Sequence, residues 1–235
     1  MSTKFQDKIT PITREELIPC LWQAWLKYFD APPKKESIWV LVAQIILETG
    51  GKSCHNFNLG NVKSREGDGH DYCFFACNEI LNTTTALKLQ TASPTTAKVT
   101  KTLENNRCII WFYPEHPACR FRAFGSLVEG AADHLILLVK RFQKAWPSVL
   151  AGDPAAYAHA LKLQGYYTAD ESQYARSVTS IFKSLSKLPI DYDSMPVISD
   201  AERERIEQTI ALSLNQLAAD EMSEMSDSEA ETKPT

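Results

Sequence analysis

The chain has 235 residues, 44% apolar and 23% charged with a formal net charge of -4, a composition that suits a soluble globular protein with one core, or one core plus an appendage. No run approaches the roughly eighteen apolar residues of a membrane span, and no basic patch calls for nucleic acid. The charge is uneven: Asp220, Glu221, Glu224, Asp227, Glu229 and Glu231 against Lys233 make -5 of residues 220–235, so the rest carries about +1.

The N-terminal residues Met1-Ser2-Thr3-Lys4-Phe5 contain no apolar core of the kind an ordinary secretory signal needs. Thr13-x-x-Glu16 has the form of a capping box ahead of an amphipathic helix carrying Leu17, Ile18, Leu21, Trp22, Trp25, Leu26 and Phe29, which Asp30-Ala31-Pro32-Pro33 ends. Over 37–48 a second helix is expected. From Trp39 to Leu47 it is apolar on every side except Gln44, the pattern of a helix buried in a domain. Glu48 follows one turn after Gln44 on the same stripe, and Gly50-Gly51 stop the helix. A carboxylate at the end of a core helix is half desolvated, and desolvation disfavours its charged form, as a general acid requires. The plain alternative is a helix-end glutamate facing water.

Residues 52–82 show no helical period and read as loops with short strands such as 72–75. Residues 83–102 have no apolar stripe and read as an exposed excursion. Two β-like runs follow at 108–113 and 120–124. A helix is expected over 126–146, limited by Pro147, and another over 153–163 with Asp153 as N-cap and Pro154 at its first position. A loop over 165–174 leads into a helix through Leu185, and 189–196 is linker-like. Ser199-x-x-Glu202 opens an amphipathic helix with Ile206, Ile210, Leu214 and Leu217, and the acidic tail beyond it reads as disordered. The fold class expected is mainly α, within α+β: a helical core with a small cysteine-rich, β-containing lobe. The domain would cover 1–190, with linker, helix and tail over 191–235.

Two of these stretches, with a third between them, carry a family resemblance. Ala43-Gln44-x-x-Leu47-Glu48-Thr49-Gly50-Gly51 precedes Asn56-Phe57-Asn58-Leu59-Gly60-Asn61. Phe121-Arg122-Ala123-Phe124-x-Ser126-x-x-Glu129-Gly130 and Gly165-Tyr166-Tyr167-Thr168-Ala169-Asp170, with Tyr174, come later in the expected order. Together they resemble the lysozyme-like glucosaminidases of bacterial cell walls, the flagellar glucosaminidase and muramidase type, over about 37–185. The resemblance implies hydrolysis of a β-1,4 bond in peptidoglycan with Glu48 as general acid. A glycosidic oxygen leaves readily only when protonated, and a neutral carboxylic acid can donate that proton. It also implies an aromatic beside the acid, a position Tyr166 matches most directly and adjacent Tyr167 could take instead. Sugar-binding candidates are Gln44, Asn58, Asn61, Trp111, Tyr113 and Tyr167. A second carboxylate, where such enzymes use one, lies in the β-lobe. Glu66, Asp68 and Asp71 are available there, and Asp68 and Asp71 are preferred. The cysteine-rich insert departs from the family pattern. So does Ala169, which leaves Asp170 or Glu171 as the match for the family's acid.

Other polar residues have plainer readings. Arg122 is expected to neutralise a core carboxylate such as Glu129, Tyr174 to pack, and His134 to be a satisfied core histidine. Without a signal peptide, Cys20, Cys54, Cys73, Cys77, Cys108 and Cys119 default to reduced thiols, whereas delivery outside the cytoplasm favours disulfides. Cys54-His55, Cys73-x-x-x-Cys77 and His116-x-x-Cys119 raise a zinc site, though the spacing is not that of zinc ribbons. A cysteine nucleophile, Cys54 or Cys119 with His70 or His116, would suit a wall peptidase or amidase. The reading adopted is a peptidoglycan glycosidase without metal or cofactor, made in the cytoplasm and acting in the periplasm or on a target cell's wall. Its partners would be glycan strands and an immunity or secretion-carrier protein, with no nucleic acid and no membrane span. The helix near 200–218 would dock on the core or bind such a partner. A non-catalytic wall-binding module is the alternative from another class.

Overall fold

A computed structural model describes residues 2–29, 31–192, 195 and 199–231. The chain is a mixed α+β protein with a helical core. Its first elements are β1 (Ile9–Pro11), α1 (Arg14–Phe29), α2 (Lys35–Thr49), β2 (Ser53–His55), β3 (Tyr72–Phe74), β4 (Cys77–Asn82) and α3 (Thr83–Ala92). Then come β5 (Ala97–Leu103), β6 (Arg107–Phe112), β7 (Arg120–Arg122), α4 (Leu127–Arg141), α5 (Trp146–Ala151), α6 (Pro154–Leu163), α7 (Glu171–Leu185) and α8 (Asp200–Glu231). Among the described residues no helix is long and apolar enough to cross a membrane. Two compact units result, one of Met1–Lys8 with Asn61–Phe124, the other of Ile9–Gly60 with Gly125–Thr235.

In the helical unit α2 is the buried centre, with every residue from Ser37 to Ile45 inside and α1, α5 and α7 packed around it. Removing Ile38, Leu41 and Ile45 from water favours the fold by roughly 2 kcal/mol apiece. The helix starts without a side-chain cap at Lys34 and stops at Gly50, whose φ of 64° suits a residue without Cβ. Thr13 and Glu16 form the reciprocal capping box expected of α1: Thr13 N and Oγ1 donate to Glu16 Oε2 (3.1 and 2.7 Å), and Glu16 N donates to Thr13 Oγ1 (3.2 Å). Asp153 Oδ1 caps α6 through Ala155 N and Ala156 N, both at 3.0 Å. The helix expected over 126–146 stops at Arg141, followed by a 3-10 turn at Gln143–Ala145. Pro147 does not limit it; it sits in the first turn of α5, where its missing N–H is no loss.

The unit also includes α8, which packs on α4 and α1. Among its described residues Ile206, Thr209 and Ser213 are buried, and Ile210, Leu214 and Leu217 of the expected stripe are partly buried beside them, Ile210 packed on the core. Polar residues share this face: Asp133, a buried carboxylate on α4, accepts from Ser213 Oγ through Oδ1 at 2.6 Å. The expected boundary at 190 thus divides elements that pack together. The backbone of the acidic stretch expected to be disordered is helical as far as Glu231. Of the linker-like stretch, residues 193, 194 and 196 lie outside the described residues.

In the smaller unit β4, β6 and β5 form an antiparallel sheet in that order, with Cys77 opposite Phe112 and Ala97 also opposite Phe112. β3 pairs antiparallel with β7, Cys73 opposite Phe121. The N-terminal residues join this unit, Tyr72 N donating to Thr3 O (3.0 Å) and Phe5 N to Tyr72 O (2.7 Å). Residues 83–102 are no free excursion; most of them form α3 and β5. Asn82 Oδ1 caps α3 at Thr84 N (2.9 Å), and a single small residue, Ala86, is fully buried beneath it. So small an apolar footprint leaves no stripe to read.

Candidate active site

Glu48 lies in the last turn of α2, one turn beyond fully buried Gln44, and is itself exposed, so the half-desolvation expected of this carboxylate is not met. Its Oε1 accepts a hydrogen bond from Tyr174 Oη at 2.8 Å, and Tyr174 stands near the start of α7. That helix begins where Asp170 Oδ1 caps Gln173 N at 2.8 Å, which fixes the turn on which Tyr174 projects. Tyr167 stacks flat on Tyr174, centroids 3.7 Å apart and planes 9° from parallel, and its hydroxyl donates to Ala158 O at 3.0 Å.

A second polar chain runs beneath. His134 Nε2 and Gln44 Oε1 are 2.9 Å apart, and Gln44 Nε2 donates to Tyr166 Oη. With the imidazole proton on Nε2, the donors point from His134 to Gln44 to Tyr166 and leave the Tyr166 proton for another acceptor. Burial, then the negative charge of Glu48, pushes the Tyr166 phenol well up from its ordinary range. Tyr174 and fully buried Tyr157 are raised by the same two causes, with Tyr166 also acting on both. All three phenols stay protonated near pH 7, and of them Tyr174 donates to Glu48. Burial holds His134 down at about 4, so its ring is neutral near pH 7. Two buried polar atoms here, Tyr157 Oη and His134 Nδ1, have no hydrogen-bond partner among the described residues.

Gln44 therefore does not line an open sugar site; it is a buried bridge between His134 and Tyr166. Asn58 is also buried, in the loop that Thr10 Oγ1 ties down through Phe57 N at 3.1 Å, and it offers no free surface to a sugar. In the smaller unit, Asp68 Oδ2 accepts from Arg65 N (2.8 Å) and Oδ1 from His70 N (3.0 Å), while Asp71 Oδ1 accepts from Thr3 N (2.6 Å). Both carboxylates thus hold their own backbone. Trp111 and Tyr113 stack with centroids 6.4 Å apart, and Tyr113 is exposed; Asn61 stands exposed at φ 48°. The carboxylate of Glu129 is met by Arg205 Nε of α8 at 3.1 Å.

No family model matches the chain, and no curated protein or solved structure matches it.

The sequence reading missed Tyr157, Tyr174 and His134 as members of the cluster. A tyrosine or histidine on an apolar helix face reads as core, and only the packing of α4, α6 and α7 shows what each meets. All six cysteines are free thiols, and among the described residues no three His, Cys, Asp or Glu side chains gather as a metal site. Burial pushes the Cys54 thiol up, and the Cys119 thiol to about 12, the reverse of what a thiolate nucleophile needs.

Proposed function

We infer that the chain cleaves β-1,4 glycosidic bonds of peptidoglycan glycan strands, with Glu48 as general acid on a lysozyme-like helical unit. The observation that carries this reading is the hydrogen bond from Tyr174 to Glu48. It joins the Glu48-Thr49-Gly50-Gly51 stretch to the Gly165-Tyr166-Tyr167 stretch, the two motifs whose order suggested the family. The Gln44–Tyr166 bond ties the same stretches a second time.

In this mechanism Tyr174 occupies Oε1 and turns the carboxyl group so that Oε2 carries the proton. Glu48 gives that proton to the glycosidic oxygen, the bond to C1 breaks, and the leaving sugar departs as an alcohol. Water or the substrate's own N-acetyl oxygen attacks C1, since Asp68 and Asp71 are engaged by backbone amides. Tyr166, held by Gln44 and His134, supports the acid from the buried side without a metal or cofactor. Action on the wall places the working protein in the periplasm or at a target cell, where an immunity or carrier protein is its natural partner.

The test is a digest of purified sacculi by the wild type and by Glu48→Gln, with mass and reducing-end analysis. The wild type is expected to release disaccharide-peptides, and the variant, folded by circular dichroism, to release them at least about 100-fold more slowly. Equal activity of the two proteins removes Glu48 from its role. Binding of wild type to sacculi with no new reducing ends replaces the enzyme by a wall-binding module.

A further inference from the structure

The cysteines of the smaller unit take no part in this chemistry, yet two of them form a pair. We propose that Cys77 and Cys119 are a thiol–disulfide exchange site, which bonds the start of β4 to the turn before β7 when the chain meets a disulfide donor. Cys77 Sγ donates to Ala118 O at 3.3 Å, the carbonyl next to Cys119, and Cys77 packs against the small apolar cluster that contains Cys119. The backbone holds them side by side, Phe75 N donating to Cys119 O at 3.2 Å and Cys119 N to His116 O at 2.8 Å. Lys63 spans the pair: its Nζ is 3.3 Å from Cys77 Sγ and donates to Ala118 O at 2.5 Å. The same ammonium sits over the Phe121 ring, 3.9 Å from its centroid, so it is held in place.

The two sulfurs differ in access. Cys77 is half-buried and Cys119 fully buried, which assigns the order of attack. The Cys77 sulfur, as thiolate, attacks one sulfur of the donor disulfide, forming a mixed disulfide and releasing one donor thiolate. A positive charge at 3.3 Å stabilises the negative charge carried by sulfur in this step. Because burial disfavours a free Cys119 thiolate, Cys119 hands its proton to the departing donor sulfur as it attacks Cys77 Sγ, which forms the Cys77–Cys119 bond and releases the second donor sulfur as a thiol. The chain loses two protons and two electrons, and the donor disulfide is reduced to two thiols. Cys108 and Cys73 are buried within strands, opposite Leu81 and Phe121. The site is independent of Glu48, which belongs to the other unit.

The full chain, fully reduced and then exposed to oxidised glutathione, tests the proposal by mass spectrometry of the intact protein and of a non-reducing digest. The expected product lacks two hydrogens and yields one cross-linked peptide joining Cys77 to Cys119. Cys119→Ser is expected to trap glutathione on Cys77, whereas Cys77→Ser leaves Cys119 unmodified. A stable glutathione adduct on Cys77 of the wild type overturns the proposal. So does a bond between any other pair, or no reaction at Cys77.

Discussion

At the scale of single residues, the site depends on one carboxyl group and the hydroxyl that turns it. Tyr174→Phe keeps the ring stacked on Tyr167 and removes only the donor to Glu48 Oε1. Losing the bond that turns the carboxyl group is expected to raise the barrier by roughly 1.5–3 kcal/mol, so sacculus cleavage falls by roughly 10- to 100-fold in a variant that still folds by circular dichroism. Unchanged turnover in Tyr174→Phe would separate the tyrosine from the reaction. His134 supplies the pH dependence. Its folded pKa of about 4 lies below the ordinary 6.5, because burial disfavours the imidazolium. The unfolded chain therefore binds the proton first as pH falls. Stability from this group is complete above about pH 6.5 and is lost between there and pH 4, roughly 3 kcal/mol in all. His134→Gln can still reach Gln44 but cannot titrate. Urea unfolding at pH 7, 5.5 and 4.5 should show a flatter pH dependence for the variant by about that amount. Parallel curves for the two proteins would refute it.

At the scale of elements, the close approach of α4 to the loop after β2 is decided by one atom. Gly130 lies inside α4, where glycine costs about 1 kcal/mol relative to alanine. A Cβ there would stand 1.9 Å from Phe57 O, a backbone atom with nowhere to go. The loop itself turns through Asn56 and Phe57 at positive φ, 45° and 57°. Gly130→Ala should destabilise the protein by about 2 kcal/mol or more despite its better helix propensity, read as a lower urea midpoint. A variant as stable as wild type would mean that the loop can withdraw. The Glu129-Gly130 pair was legible in the sequence only as part of a motif. Its reasons, a carboxylate for Arg205 and a missing side chain for Phe57, lie in segments distant along the chain.

At the scale of the whole molecule, the helical unit is assembled from two stretches distant in sequence, Ile9–Gly60 and Gly125–Thr235. Deleting residues 200–235 uncovers the faces of α1 and α4 that Ile206 covers, and takes Ser213 from Asp133 and Arg205 from Glu129. Each of these carboxylates then loses one partner while the apolar surface that Ile206 covered is opened to water. The truncated chain is expected to unfold at a markedly lower temperature and to bind a hydrophobic dye at low denaturant. A truncated chain with the wild-type midpoint would make α8 an appendage after all.

The residues by themselves determined the local order of this protein. Caps at Thr13 and Asp153, the buried period of α2, its glycine stop and the strand-like run expected at 108–113 and found at Arg107–Phe112 depend on neighbours within a few positions. Glu48 was legible for the same reason, since a polar residue ending an apolar helix stands out locally. What only the tertiary structure decided is which side chains meet. Burying Gln44 against His134 and Tyr166, and turning Tyr174 onto Glu48, requires contacts between α2, α4 and α7 across most of the chain. Short-range patterns hold no record of such contacts. The same is true of α3 and β5, whose small apolar footprint finds its partner only in the folded sheet.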